Sequence, residues 1–269
     1  LRVDQKFNDT IIMFLTARGE DYSHVAAYEA GADDYVTKPV KPKVLVSKVK
    51  GLLRRLKKVI ENDLNEIKFE DIKIVVNGAG ASAIAVTKFI LNKNPKDVIM
   101  CDSKGIISSD RNDLNDVKKD MLNHTNKNNI TGNLMDSIEN ADVFIGLSIG
   151  NLLDGDHIKK MNEKPIIFAL ANPEPEIYPD VAKDAGAYIV AIGRSDFPNQ
   201  VNNVLGFPGI FRGALDCRAS EINNEMMLAA TNALANYVSD LSVEKILPNP
   251  LDKKVAYVVA DAVKNAAIE

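Results

Sequence analysis

Two glycines, Gly78 and Gly80, stand directly behind the apolar, β-branched run at residues 72–76. Such a run, with turn residues straight after it, reads as a buried parallel strand. The first glycine permits a tight turn, and the second lets backbone come close to a pyrophosphate. Ala83 takes the place of a third small residue. A helix opens across Ala81, Ser82 and Ala83, with its free N–H groups facing a ligand. A second apolar run ends at Cys101, and Asp102 sits at its C-terminal tip, twenty-four residues beyond Gly78. A carboxylate there can accept hydrogen bonds from the hydroxyls of an adenine ribose. These residue types at these spacings point to dinucleotide binding. G-x-G-x-x-A alone is a weak signal, met by any turn that packs a helix on a sheet. Strand, turn, helix, strand and terminal acid in that order are a much stronger one.

Positioning such groups takes a sheet. Apolar runs at 142–147, 165–170 and 187–192 predict three more strands, each closed by a loop that carries Ser148, Asn172 or Ser195. Helices are expected between them, for example over 156–162 and 180–186. Strand, loop and helix repeated in this way give an α/β fold with a doubly wound parallel sheet. Ligands bind such sheets outside the carboxyl ends of the strands. That edge collects Gly78, Asp102, Ser148, Asn172 and Ser195, and Asn203 follows in an Asn-rich loop. A lone asparagine is usually a turn or cap residue; several on one sheet edge weigh toward a site. Near the C-terminus Val255, Val258, Val259, Ala262, Val263 and Ala266 form a helical packing stripe.

Ahead of this domain, residues 1–60 read as strand, helix, strand and helix, with the strands at 11–15 and 34–37. That order implies a parallel crossover. The two strands either extend the main sheet or pack as a separate lobe. Arg54, Arg55, Lys57 and Lys58 lie among Leu56 and Val59 at helical spacing, which reads as a solvated helix face. The dinucleotide domain is expected over 61–269.

The 269 residues are 46% hydrophobic, enough for a real core, and carry a net charge of −4, which argues against a nucleic-acid partner. Two cysteines suit a reducing cytoplasm. No apolar run reaches the length of a membrane helix, and no signal peptide is evident. His24, His124 and His157 fall in predicted helices or polar segments and are expected at the surface.

Residues 1–56 resemble the second half of a response-regulator receiver domain, a flavodoxin-like fold. The motifs are FLTARGED, AYEAGADDYVTKP and LVSKVKGLLRR. On this resemblance Thr16 matches the switch hydroxyl, Tyr35 the rotating aromatic, Lys38 the phosphoryl-pairing lysine and Pro39 the proline after it. In that family this Lys–Pro bond is usually cis. A receiver also needs an acidic pair on its first strand and an acceptor aspartate on its third, and neither is in this chain. The segment is expected to be structural or vestigial and not phosphorylated.

From about Leu64 onward the chain resembles the NAD-binding half of malic enzyme, a Rossmann-type domain. The motifs are KIVVNGAGASAIA, VIMCDSKGII, ADVFIGLS, IIFALANPEPEI and GRSDFPNQVNNVLGFPGIFRGALD. The resemblance implies oxidative decarboxylation of malate to pyruvate with NAD or NADP and Mg²⁺ or Mn²⁺. It makes Gly78, Gly80, Ala81, Ser82 and Ala83 the pyrophosphate turn, Asp102 the ribose acid and Ser148 a cofactor contact. Asn172 would touch substrate and nicotinamide ribose, and Asn202 and Asn203 nicotinamide and malate. The charge of Asp102 favours NAD over NADP by repelling a 2′-phosphate, with Lys104 nearby as a counterweight.

That family's tyrosine acid, lysine base and acidic metal ligands have no counterpart motifs in this chain. Lys104, Asp196 and His157 have no spacing that argues for catalysis. The expected protein is therefore an NAD-binding malic-enzyme relative without its catalytic half. A receiver-linked signalling module and a non-catalytic chimeric scaffold are the alternatives. A natural fusion, a fragment and an engineered chimera stay open, as does a homodimer.

Overall fold

The structure, a computed structural model, describes residues 12–16, 28, 30–40, 45, 48–49 and 68–267. The chain divides into two units, Leu1–Glu66 and Ile67–Glu269. In the first, β1 (Met13–Thr16) pairs in parallel with β2 (Asp34–Thr37) as a two-stranded sheet of its own. Asp34 pairs with Lys48 at 2.8 Å, Asp33 Oδ2 accepts the Ile12 N–H at 2.7 Å, and the Lys38–Pro39 bond is cis. The expected helices over 21–30 and beyond Pro42 fall largely outside the described residues. So do the basic cluster at 54–58 and His24.

The second unit is built on β3 (Lys73–Asn77), β4 (Asp97–Asp102), β5 (Gly105–Ile106), β6 (Val143–Gly146), β7 (Ile166–Ala169) and β8 (Ile189–Ile192). Their order across the sheet is β5-β4-β3-β6-β7-β8, parallel except for β5. Chain order reverses between β3 and β6, where a doubly wound sheet opens its crevice. The apolar runs are continuous because both faces are covered. Along β3, Val75 enters one core with Ile99, Phe144, Ile167 and Val190, while Ile74 and Val76 enter the other with Val98, Met100, Val143 and Ile145.

Two local features depart from the sequence reading. The stretch after Asp102 carries a short strand absent from that reading: Gly105 turns the chain back at φ +107°, and β5 pairs antiparallel with β4. In the C-terminal helix Lys254–Ala266, Val255, Val259 and Val263 are buried against helices Phe207–Asp216 and Asn224–Tyr237, but Val258 is 41% exposed and Ala260 is buried in its place. The buried face is turned around the helix axis from the one the sequence suggested, with Val258 leaving it and Ala260 joining it.

Candidate functional site

Gly78 follows β3 at φ +132°, a backbone conformation that L side chains rarely adopt. A Cβ there would stand 2.7 Å from the Leu147 carbonyl oxygen. Strand β3 thus ends in a turn that only glycine fits, held against the tip of β6. Gly80 is different. It caps helix α1 (Ala81–Leu91) in extended backbone, and an added Cβ would meet nothing of the protein within 4 Å. The space over Gly80 is open, as a group approaching the helix N-terminus requires. Ala81 and Ser82 are exposed on the first turn of α1, while Ala83 is buried beneath it in the core.

Asp102 ends β4 beside this turn. Its carboxylate is more occupied than the sequence indicated. Oδ1 accepts from Arg111 Nη1 at 2.8 Å and from the Lys104 N–H at 2.9 Å. Oδ2 accepts from Arg111 Nη2 at 3.1 Å and from Lys118 Nζ at 2.6 Å. Burial alone would raise its pKa, but the hydrogen bonds from Arg111 and Lys118 prevail and hold it at about 2. A carboxylate offers about four acceptor positions, so a ribose hydroxyl has to share or displace one of these donors. Arg111 also forks onto Asp113, and Lys104 pairs with Asp113 at 2.8 Å. Neither Arg111 nor Lys118 was foreseen. Both come from the segment between β4 and β6, and no spacing in the sequence ties them to Asp102.

The expected site residues divide between two adjoining clefts. One, of about 760 Å³, is lined by Gly78, Gly80, Asp102, Lys118 and Ser148. The other, of about 660 Å³, is lined by Asn172, Ser195, Asn202 and Asn203 together with Arg194 and Asp196. Leu147 lines both. Ser148 accepts a hydrogen bond at its Oγ from Asn77 Nδ2 at 2.6 Å, which fixes the β6 tip to the end of β3. The Asn172–Pro173 bond is cis. Asn202 spends its side-chain oxygen on the Val204 N–H at 3.0 Å, capping a short turn, while Asn203 is exposed.

The residues without a catalytic spacing are all engaged. Lys104 holds Asp113, and Arg194 holds Asp196 through Nε and Nη2 at 3.0 and 2.8 Å. His157 is not a free surface group. Its Nδ1 lies 2.8 Å from Asp154 in a capping box at the start of helix Gly155–Lys159. His124 is exposed, as expected. Among the described residues no group of three or more His, Cys, Asp or Glu could hold a metal ion.

The family model for the malic enzyme NAD-binding domain matches residues 48–268, starting ahead of Leu64. The chain is 50% identical over 224 residues to the bifunctional malic/malolactic enzyme of Bacillus subtilis, covering 82% of this chain and 53% of that one. It is 47% identical over 219 residues to the NAD-dependent malic enzyme of Geobacillus stearothermophilus, covering 81% and 44%. The crystal structure of the NAD-dependent malic enzyme of Thermotoga maritima superposes with a TM-score of 0.72 at 33% identity, covering 94% of this chain and 84% of that one. Relatives named for NAD and for NADP both occur. The chain spans about half the length of the curated relatives it matches. By its motifs, its fold and these matches, the chain belongs to the malic enzyme NAD-binding domain family.

Proposed function

We propose that this chain supplies the cofactor-binding half of an NAD-dependent malic enzyme, and that the full reaction is oxidative decarboxylation of malate to pyruvate. The turn at Gly78 and Gly80 carries this reading: one glycine is demanded by the fold, and the other leaves space that only a ligand would use. NAD fits along the carboxyl edge of the sheet. The diphosphate meets the N–H groups at Ala81, Ser82 and Ala83, the adenine ribose reaches Asp102, and the nicotinamide half lies toward Asn172, Asn202 and Asn203. When bound, the cofactor supplies the hydride acceptor. The residues of this chain bind and orient. We favour NAD over NADP because Asp102 is ionised where a 2′-phosphate would stand. The Arg111 and Lys118 cations temper that preference.

The Mg²⁺ or Mn²⁺ of the full reaction finds no ligand set among the described residues. The first 60 residues we read as a receiver-like segment without a phosphorylation site of its own, on the resemblance at Thr16, Tyr35, Lys38 and Pro39. We place the protein in the cytoplasm on its two free cysteines. Among the described residues no helix is long and apolar enough to cross a membrane. Assembly as a homodimer is part of the proposal and is tested by analytical ultracentrifugation. The central test is titration calorimetry with NAD: saturable 1:1 binding is expected, and an absence of heat at millimolar NAD would end this reading.

A further inference from the structure

One buried carboxyl group ties the backbone beside both clefts, and the cofactor reading leaves it without a role. Glu176 follows β7 and is fully buried. Backbone N–H groups meet its carboxylate: Ser148 donates to Oε1 at 3.3 Å and Ala171 to Oε2 at 3.0 Å. Ser148 lines the first cleft, and Asn172, the residue after Ala171, lines the second. The backbone at Glu176 is tied to the same loop. Its carbonyl accepts the Leu153 N–H at 2.9 Å, and the Pro175 carbonyl accepts the Asn151 N–H at 2.8 Å. Gly146, the last residue of β6, makes the room: a Cβ there would overlap the Glu176 carboxylate.

We propose that Glu176 is a positioning residue that fixes the spacing of the two clefts, holding Ser148 and Asn172 at the separation a dinucleotide requires. The inference rests on the dinucleotide reading above. A forked acceptor with no donor of its own is what two convergent N–H groups need, and only a carboxylate offers it. Folding stability does not ask for a charge here. Burial pushes the Glu176 pKa up, against the pull of the backbone N–H groups of Ala171, Ser148 and their neighbours. A buried carboxylate is costly unless its hydrogen bonds repay it. What the carboxylate adds is geometry: it couples the tip of β6 to the loop after β7. Ser148, through Asn77, carries the coupling on to β3.

The test uses the full chain with Glu176→Gln, which keeps the shape but turns an amide N–H₂ onto one of the two N–H donors. Binding of NAD, which spans both clefts, is compared with binding of ADP, which stays in the first. Expected are a tenfold or greater loss of NAD affinity, a change of less than threefold for ADP, a weaker nicotinamide fluorescence enhancement of NADH and an unchanged circular dichroism spectrum. Equal losses for NAD and ADP would reduce Glu176 to a structural residue, and no loss for either would overturn the proposal. Should Glu176→Gln fail to fold, Gly146→Ala, which displaces the same carboxylate, carries the same NAD-against-ADP expectation. A wild-type chain that binds neither ligand would instead overturn the dinucleotide reading, and this inference with it.

Discussion

Arg111 grips Asp102 with both terminal guanidinium nitrogens, Nη1 on Oδ1 at 2.8 Å and Nη2 on Oδ2 at 3.1 Å. The pair is nearly out of solvent, with 14% and 9% of the two side chains exposed. Bidentate pairs of this kind are among the stronger hydrogen-bonded contacts in proteins. Here one stands where the adenine ribose of the proposed cofactor would lie, so cofactor choice and local stability both pass through it.

For cofactor choice, Asp102→Ala should weaken NAD by about 1.5–3 kcal/mol, the value of a hydrogen bond to a charged group. The same change leaves Arg111 and Lys118 without their shared anion. Their charge then becomes available to a 2′-phosphate, so NADP should lose less than NAD, or gain. Calorimetry with both cofactors on both proteins decides it. A variant that loses the two in equal proportion would contradict the role given to Asp102.

For stability, the sign follows from Asp102 titrating at about 2 in the fold against about 3.9 for a free aspartate. A depressed carboxyl contributes stability above its unfolded value, and that contribution is lost as pH falls through the folded one. Asp102→Asn should therefore be less stable than wild type near neutrality, by roughly 2 kcal/mol. The gap should close between about pH 4 and pH 2. Urea melts at stepped pH measure it, and a gap that stays constant across the window would show that the ion pair does not act as described.

The glycine pair makes opposite demands. Gly78→Ala should lower the melting temperature by roughly 5–10 °C, because it joins a positive-φ position to a clash with the Leu147 carbonyl. Gly80→Ala meets open space, so stability should change by less than about 1 kcal/mol while NAD affinity falls. Paired thermal melts and titrations separate the two. Equal stability losses would mean that Gly80 serves the fold and not the ligand.

Malate turnover by this chain alone, with NAD and Mn²⁺ in excess, should fall far below the ordinary range of about 1–10³ per second. Asn172, Asn202 and Asn203 can orient a substrate, but Lys104, Asp196 and His157 are tied up and no metal ligand set occurs among the described residues. General acid–base groups contribute roughly 10²–10⁴-fold, and a metal several kcal/mol more. NADH absorbance follows the reaction. A rate within tenfold of that range, abolished by Asn172→Ala, would reveal catalytic groups in this chain.

Treatment with acetyl phosphate and Mg²⁺ should give no stable mass shift in the first 60 residues, which on the proposed receiver-like reading carry no acceptor aspartate. A site-specific adduct there would revive a signalling role.

Much of the fold was legible because β3, β4, β6, β7 and β8 are buried on both faces and read as continuous apolar runs. Strand β5 was not, because two residues carry no period and its pairing is set by the turn at Gly105. The glycine turn and Asp102 were legible for a local reason, since a tight turn and a strand tip have fixed spacing. Arg111, Lys118 and Glu176 were not. Each meets its partner across a fold-dependent distance, and an arginine in a polar loop or a glutamate after Pro175 carries no mark of burial. His157 was misread because a helix-capping role depends on Asp154 three residues before it, not on its own type.

Leu147 has a consequence for how tightly anything binds here. Because it lines both clefts, the two proposed half-sites are neighbours, and on the cofactor reading a ligand seated in one presents its tethered half to the other at an effective concentration of about the millimolar range. The sheet edge would then act as a bivalent receptor for the proposed cofactor. On the proposed cofactor reading, two weaker grips act together on a molecule whose linker matches their spacing, and fragments of that molecule supplied separately forfeit the gain.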